Sequence, residues 1–286
     1  VRRELIMPAY RFCRPDDLQL LIKAVNSCIY SHFPDKSPLT EEGYAELVRE
    51  QGLWASSCML TFERNQTDVI SAIIGCRRGN ETLIHAIGTR PEYQRRGHIK
   101  HMLTSLSGKL SILGPPDMWV EISSDRLDLI SLFRELGYEA RESYLTMLFE
   151  PNPEQVERNV PVERFTVADA TSLSLLEFTE RRSWLRQKDN IEAQALLGRA
   201  LISSERVESC VFYCEKGGYV SVSCAEAPGG DLALEALLTA LAKEYGKPLL
   251  FPRVNKSESA YQTLVRMGAS IVEWYLGYYC RASRDS

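Results

Sequence analysis

The stretch Thr82-Leu83-Ile84-His85-Ala86-Ile87-Gly88 is apolar and strand-like, and it hands over through Gln94-Arg95-Arg96-Gly97-His98-Ile99 to a segment with helical spacing of apolar residues. A glycine at the tight point of such a turn lets several backbone N–H groups aim at one spot. The helix behind it adds its uncapped amides and the positive end of its dipole. A strand, a glycine turn and a helix in that order predict a cradle for an anion, and a pyrophosphate fits its size and charge.

The 286 residues allow one large domain or two of ordinary size, and 44% hydrophobic residues suffice for their cores. A formal net charge of −4 argues against an extended polyanion surface, so no nucleic-acid partner is expected. No apolar run reaches the roughly 18 residues of a membrane span, and Val1-Arg2-Arg3-Glu4-Leu5-Ile6 lacks the apolar core of a signal peptide. No membrane partner and a cytoplasmic location are therefore expected. The eight cysteines are scattered through strand-like and helix-like segments and are expected to be reduced, mostly buried thiols. The loose spacing Cys210-x-x-x-Cys214 is not expected to hold a metal, and His98 and His101 are expected to face solvent or a phosphate.

The first half predicts strand 10–13, helices 16–31 and 40–51, strands 56–63, 68–78 and 81–89, helix 97–113, strand 118–123, helix 125–136 and a closing pair of strands over 138–149. The polar, twice proline-interrupted stretch Glu150-Pro151-Asn152-Pro153-Glu154-Gln155-Val156-Glu157-Arg158-Asn159 reads as a linker, which sets domains at 1–151 and 160–286. The pattern then restarts. Arg164-Phe165-Thr166-Val167-Ala168-Asp169 is similar to Arg11-Phe12-Cys13-Arg14-Pro15-Asp16, and Met267-Gly268-Ala269 ends the second half as Leu136-Gly137-Tyr138 ends the first. At the place of the phosphate turn the second half offers Ala225-Glu226-Ala227-Pro228-Gly229-Gly230-Asp231 ahead of a helix over 232–245, and its two carboxylates are expected to repel a pyrophosphate. Tyr275, Tyr278 and Tyr279 read as part of a closing core strand.

Ile87-Gly88-Thr89-Arg90-Pro91-Glu92-Tyr93-Gln94-Arg95-Arg96-Gly97-His98-Ile99 resembles the coenzyme motif of the GNAT superfamily of N-acetyltransferases through its strand, Pro91, Tyr93, Gln94 and Gly97. Ile99 departs from the Gly or Ala usual at its place. The order of elements in the first half is also the GNAT order. The resemblance implies an α/β (α+β) fold of two GNAT-like domains, each a mixed, mostly antiparallel twisted sheet flanked by helices, with the second domain degenerate. It implies acetyl-CoA as cosubstrate, no metal, and an amine-bearing acceptor, small molecule or peptide, for a monomer or homodimer. Backbone groups of Ile87 and Thr89 would pair with the pantetheine arm, and Gly88 between them would permit close approach. Gln94, Arg95, Arg96, Gly97, His98, Ile99 and Lys100 would surround the pyrophosphate.

Acetyl transfer also needs a base for the incoming amine. Glu121, in Trp119-Val120-Glu121-Ile122, resembles the basic glutamate of the ribosomal-protein alanine acetyltransferases, and burial in an apolar strand is expected to suit it to that task. His85 resembles in position a histidine of the arylalkylamine acetyltransferases. In many GNAT enzymes a tyrosine of the last helix protonates the departing thiolate; here Phe133 stands in its place and has no proton to give. A noncatalytic acyl-CoA-binding or interaction protein with the same fold is the alternative.

Overall fold

The computed structural model describes residues 8–33, 36–63, 68–151 and 160–283. They divide into two compact units. Unit 1 holds residues up to Ile122 together with Arg126–Arg141 and the chain from Tyr278 onward; unit 2 holds Ser123–Asp125 and Glu142–Gly277.

Ten elements follow one another in the first half: β1 (Ala9–Phe12), α1 (Leu18–Ala24), α2 (Glu41–Gln51), β2 (Met59–Phe62), β3 (Val69–Arg78), β4 (Glu81–Thr89), α3 (His98–Leu113), β5 (Asp117–Ser123), α4 (Leu127–Glu135) and β6 (Glu139–Phe149). The second half repeats the order with β7 (Val162–Arg164), α5 (Val167–Ser172), α6 (Lys188–Ala193), β8 (Leu197–Ser203), β9 (Arg206–Glu215), β10 (Val220–Glu226), α7 (Asp231–Tyr245), β11 (Leu249–Asn255), α8 (Ser259–Arg266) and β12 (Ser270–Arg281). Most of the linker expected over 150–159 lies outside the described residues.

The expected domains follow the repeat in the sequence, but the compact units do not, because the last strand of each half is divided between them. In unit 2, Tyr144–Phe149 of β6 pair antiparallel with β11. In unit 1, the end of β12 lies beside β5 in strand order, where Tyr279 donates to Asp117 Oδ1 at 2.8 Å and meets the Trp119 ring at a tilt, 5.0 Å between centroids. The closing pair expected over 138–149 is one continuous strand, since nothing between Glu139 and Phe149 favours a turn and its partners come from elsewhere in the chain.

Within unit 1 the strands run in the order β1-β2-β3-β4-β5, antiparallel up to β4 and parallel between β4 and β5. The strand β3 is buried from Val69 to Cys76, as a central strand covered on both faces must be. Helix α3 turns Met102, Leu103, Leu106 and Leu110 inward at helical spacing, each such side chain contributing roughly 1.5–3 kcal/mol. Helix α2 begins with Thr40 accepting from the Gly43 amide and ends on Gly52 at φ 70°. The helix expected over 16–31 is regular only to Ala24; Val25–Ile29 widens into a π-helical turn and Tyr30–His32 tightens into a 3₁₀ turn. That distortion presses the Cys28 carbonyl against β4.

Unit 2 repeats the plan with the order β6-β11-β10-β9-β8-β7 and one parallel pair, β10 with β11. Its core gathers Leu234, Leu237, Leu238 and Leu241 of α7 over Val211, Tyr213, Val222 and Phe251 of the sheet.

Candidate active site

In unit 1, β4 and β5 pair only over Glu81↔Asp117, Thr82↔Met118 and Leu83↔Trp119 and then part, so that the second half of β4 has lost its neighbour on one side. His85 marks the break. Gly75 faces Ile84 and Ile74 faces Ala86, which leaves His85 as the extra residue of a bulge in β4. Beyond it the Arg90 amide donates to Ile70 on β3 at 2.9 Å. Backbone groups alternate sides along a strand, so those of Ile87 and Thr89 point away from β3 toward the gap.

A cleft of about 470 Å³ opens there, lined by Ile87, Gly88 and Thr89 of β4, Gln94, Arg95 and Ile99 of the turn and α3, Arg126, Asp128, Leu129 and Leu132 around α4, and Ile29, His32 and Phe33. Its floor is the glycine turn. Arg95 at φ 58° and Gly97 at φ 80° bend the chain so that Gly97 caps α3, with no side chain satisfying the cap and no atom within 4 Å of where a Cβ would stand. The first bond of the helix runs from the His101 amide to Gly97, which leaves the amides of the first turn at the mouth of the cleft.

The cations around this turn divide. Arg95 lines the cleft and has no carboxylate partner among the described residues. Arg96 donates to the Glu92 carbonyl at 2.8 Å and lies over the Tyr93 ring, Arg90 pairs with Glu92, and Lys100 pairs with Glu135. Of the two surroundings expected for His98, solvent or a phosphate, the first does not hold: it is 7% exposed because the first turn of α3 packs on β1, where Tyr10 Oη lies 3.0 Å from its Nδ1. Burial, with Arg96 and His101 nearby, holds its pKa below the ordinary imidazole value. Ile99 lines the cleft, where the family's small residue would leave more room.

Gly88 lines the cleft and carries a second constraint. A Cβ there would stand 2.1 Å from the Cys28 carbonyl oxygen, so the missing side chain makes room for the π-helical turn. Neither candidate base is among the cleft-lining residues. Glu121 is half-buried on β5, two residues past the last pair with β4, and His85 is exposed at its bulge, where the spacing from Thr89 no longer fixes a common face. Phe133 is fully buried and meets Tyr138 edge-on at 5.0 Å, while α4 offers Leu129 and Leu132 to the cleft; Phe133 therefore belongs to the core.

Sequence reasoning missed His32. It lines the cleft with Nε2 2.9 Å from the Thr89 carbonyl oxygen. A single histidine in a polar connection carries no periodic signal. Arg126 and Asp128 were also unassigned: the guanidinium clamps the carboxylate at 3.0 and 2.9 Å and holds its pKa below the usual range.

In unit 2 the same construction is closed. The parallel pair β10/β11 is in register only at Val220↔Leu249 and Ser221↔Leu250, and Ser223 is the extra residue of a bulge. Aligned by both marks, Ala225 matches Ile87 and Glu226 matches Gly88, where β10 stops. The gap is filled by side chains. Arg186 Nη1 donates to the Val222 carbonyl at 3.0 Å and its Nη2 lies 2.7 Å from Glu258 Oε2; Arg182 pairs with Glu180 and Glu226 at 2.5 and 2.7 Å. Glu226 is thus engaged by a guanidinium. Only residues 227–230 connect β10 to α7, against 90–97 in unit 1.

No protein-family model matches the chain. It is 28% identical over 80 residues to an acetyltransferase of Sodalis glossinidius, a match that covers 28% of this chain and about half, 56%, of that protein. Among solved structures, a tandem GNAT protein from the clavulanic acid biosynthesis pathway superimposes with a TM-score of 0.66 over 97% of this chain and 99% of its own, at 8% identity. The chain has the tandem GNAT fold. A GCN5-related N-acetyltransferase from Anabaena variabilis gives a TM-score of 0.65 at 13% identity, over 97% of this chain and 73% of its own. Among the described residues no three His, Cys, Asp or Glu side chains are grouped to hold a metal, and no helix is long and apolar enough to cross a membrane.

Proposed function

We propose that the protein is an acetyl-CoA-dependent N-acetyltransferase that works at the unit 1 cleft on an amine-bearing small molecule or peptide. The observation that carries this is the conjunction of a strand whose partner has parted with a glycine-opened helix end. Polar backbone turned into a gap needs a partner, and the amides of a pantetheine arm are spaced to supply one to Ile87 and to the amide of Thr89, whose carbonyl already accepts from His32 Nε2 and Gln94 Nε2. The uncapped first turn of α3 and the uncommitted guanidinium of Arg95 suit a pyrophosphate. Gln94, Gly97, Ile99 and the backbone of Arg96, His98 and Lys100 complete the cradle. Unit 2 takes no coenzyme, because Arg186 and Glu258 occupy the corresponding gap.

Calorimetric titration with acetyl-CoA tests the binding, with one site per chain expected. Thiol release across a panel of amines, amino acids, aminoglycosides, polyamines and peptides tests the activity. The apolar wall that α4 offers, Leu129 and Leu132 without a hydroxyl, favours a second reading as an acyl-CoA-binding protein, for which binding without thiol release is the expected result.

A further inference from the structure

We infer that the ring of Phe33 is the platform on which the adenine of the coenzyme stacks; the inference rests on the functional reading above. Its first support is the exposure of this ring. Leu21, Val25, Ile29 and Phe33 recur every four residues, and the first three are buried, as one stripe of a helix laid on a core must be. Phe33 is 48% exposed. The π-helical turn at Val25–Ile29 and the 3₁₀ turn at Tyr30–His32 carry the end of that stripe off the core, and Ile29 and Phe33 both line the cleft. The backbone of Phe33 is tied locally, its amide donating to the Tyr30 carbonyl at 2.9 Å and its carbonyl accepting from the Lys36 amide at 3.0 Å.

Its second support is position along the cleft. His32, one peptide before Phe33, holds its Nε2 2.9 Å from the carbonyl of Thr89, the last residue of β4, and the turn given to the pyrophosphate begins at the next residue. Phe33 therefore stands at the phosphate end, where Gln94 and Arg95 also line the cleft. An arm paired with Thr89 and then Ile87 runs away from it toward Leu83, the last point at which β4 and β5 pair, and six residues of strand span about 20 Å. The acceptor, which meets the thioester at the far end of that arm, is thereby kept from Phe33.

Its third support is the chemistry of the ligand at that end. The adenine is joined to the pyrophosphate through a single ribose, so phosphates seated at Arg95 and the first turn of α3 bring the one aromatic group of the coenzyme into this part of the cleft. Phe33 is the one Phe, Tyr or Trp among the described lining residues. A phenyl ring offers a purine a flat apolar face and no hydrogen bond, so it holds the base by stacking and leaves the edge of the base unread. A cation for the phosphates and a ring for the base then stand on two sides of the same opening, which is the arrangement a nucleotide requires.

Calorimetry on the full chain tests this with acetyl-CoA, with adenosine 3′,5′-bisphosphate, which keeps base and phosphates, and with 4′-phosphopantetheine, which lacks the base. For Phe33→Ala, an exchange at an exposed side chain, affinity for the first two is expected to fall about five- to tenfold, the lower part of the range for one base on one aromatic ring. Affinity for 4′-phosphopantetheine is expected to stay within about twofold of the wild type. Phe33→Trp is expected to keep the wild-type affinities. Its added fluorescence, taken as the difference from the wild type, is expected to be quenched by adenosine 3′,5′-bisphosphate and not by 4′-phosphopantetheine. An equal loss with all the probes for Phe33→Ala, or no loss with the two that carry adenine, overturns the stacking role and leaves the functional reading in place. A wild type that binds no acetyl-CoA overturns the functional reading and this inference together.

Discussion

Replacing Glu258 by Gln in unit 2 probes how the second gap is closed. Glu258 and Arg186 are both inaccessible to solvent. Besides Arg186, Glu258 accepts the Asn255 amide on Oε1 at 2.8 Å and lies 3.8 Å from Arg182. Two guanidiniums here share three carboxylates, but Glu180 and Glu226 are both bound to Arg182. Glutamine preserves shape and the acceptor for Asn255, yet leaves Arg186 buried with the Val222 carbonyl and no counter-charge within reach. Removing one member of a buried pair costs about 3–5 kcal/mol, much of it the desolvation of the orphaned ion.

No neighbouring carboxylate can be reassigned, so the full range is expected for Glu258→Gln. Adding Arg186→Met removes the orphan and replaces it with an apolar chain of similar reach, so the double variant is expected to lie within about 1–2 kcal/mol of the wild type. Arg186→Met alone leaves Glu258 as the orphan and is expected to cost a similar amount, so the two single losses together exceed that of the double variant by more than the roughly 3 kcal/mol typical of residues in contact. Urea unfolding followed by circular dichroism and by tryptophan fluorescence measures it, since the buried Trp184 lies two residues from Arg186. A loss below about 1 kcal/mol for Glu258→Gln, or simple additivity of the two changes, would refute the charge-closed gap.

Arg95→Ala is expected to weaken acetyl-CoA binding about tenfold and Arg96→Ala far less, since Arg96 is already held by the Glu92 carbonyl; calorimetry of both variants reads the difference. Gly88→Ala must displace the Cys28 carbonyl by more than about 1 Å, at a cost of about 1–3 kcal/mol in denaturant unfolding, and should lower coenzyme affinity by disturbing the cleft wall. Phe133→Tyr buries a hydroxyl against Tyr138 rather than delivering it to the cleft, so stability should fall by about 1–3 kcal/mol with no gain in acetyl-transfer rate; a faster enzyme would show that the core reading is wrong. The depressed pKa of His98 means that the unfolded chain binds the proton more readily. Stability from this group is therefore complete above the ordinary imidazole value and is lost as pH falls through the folded one, a slope in the melting temperature that His98→Gln should remove.

The parts of the site legible in sequence were those written into local backbone chemistry. Pro91 and Gly97 punctuate the turn, and an apolar strand ahead of leucines at helical spacing fixes what lies on either side. What escaped depends on contacts between distant residues. The role of Gly88 is set by Cys28, sixty residues earlier, and the burial of Phe133 by Tyr138 across the end of α4. His85 lost its expected place through a bulge of one residue, which periodicity cannot reveal. The strand β6 read as a pair because its length exceeds what one sheet partner in its own half would require, and its register partners come from β11. Arg182 and Arg186 sit in the polar-looking run Glu180-Arg181-Arg182-Ser183-Trp184-Leu185-Arg186, and nothing in it distinguishes a buried guanidinium from an exposed one.

The two halves show one backbone problem met in two ways. In each, a parallel pair holds for two or three residues, a single-residue bulge follows on the central strand, and the strand then runs on without its neighbour. Carbonyls and amides turned into such a gap cannot stay unsatisfied in a core. In unit 2 the chain supplies its own answer: Arg186 reaches the Val222 carbonyl, one residue past the last parallel pair, and Glu258 balances the charge. Val222 corresponds to Ile84 of unit 1, three residues before Ile87. There the gap widens into a cleft, β4 continues through Thr89 where β10 stops at Glu226, and the connection to the helix lengthens from 227–230 to 90–97. A longer strand edge and a longer turn would suit the proposed coenzyme, with amides at one end and phosphates at the other, and it is in this unit that Arg95 stands without a carboxylate partner among the described residues and His32 lies beside the last strand carbonyl.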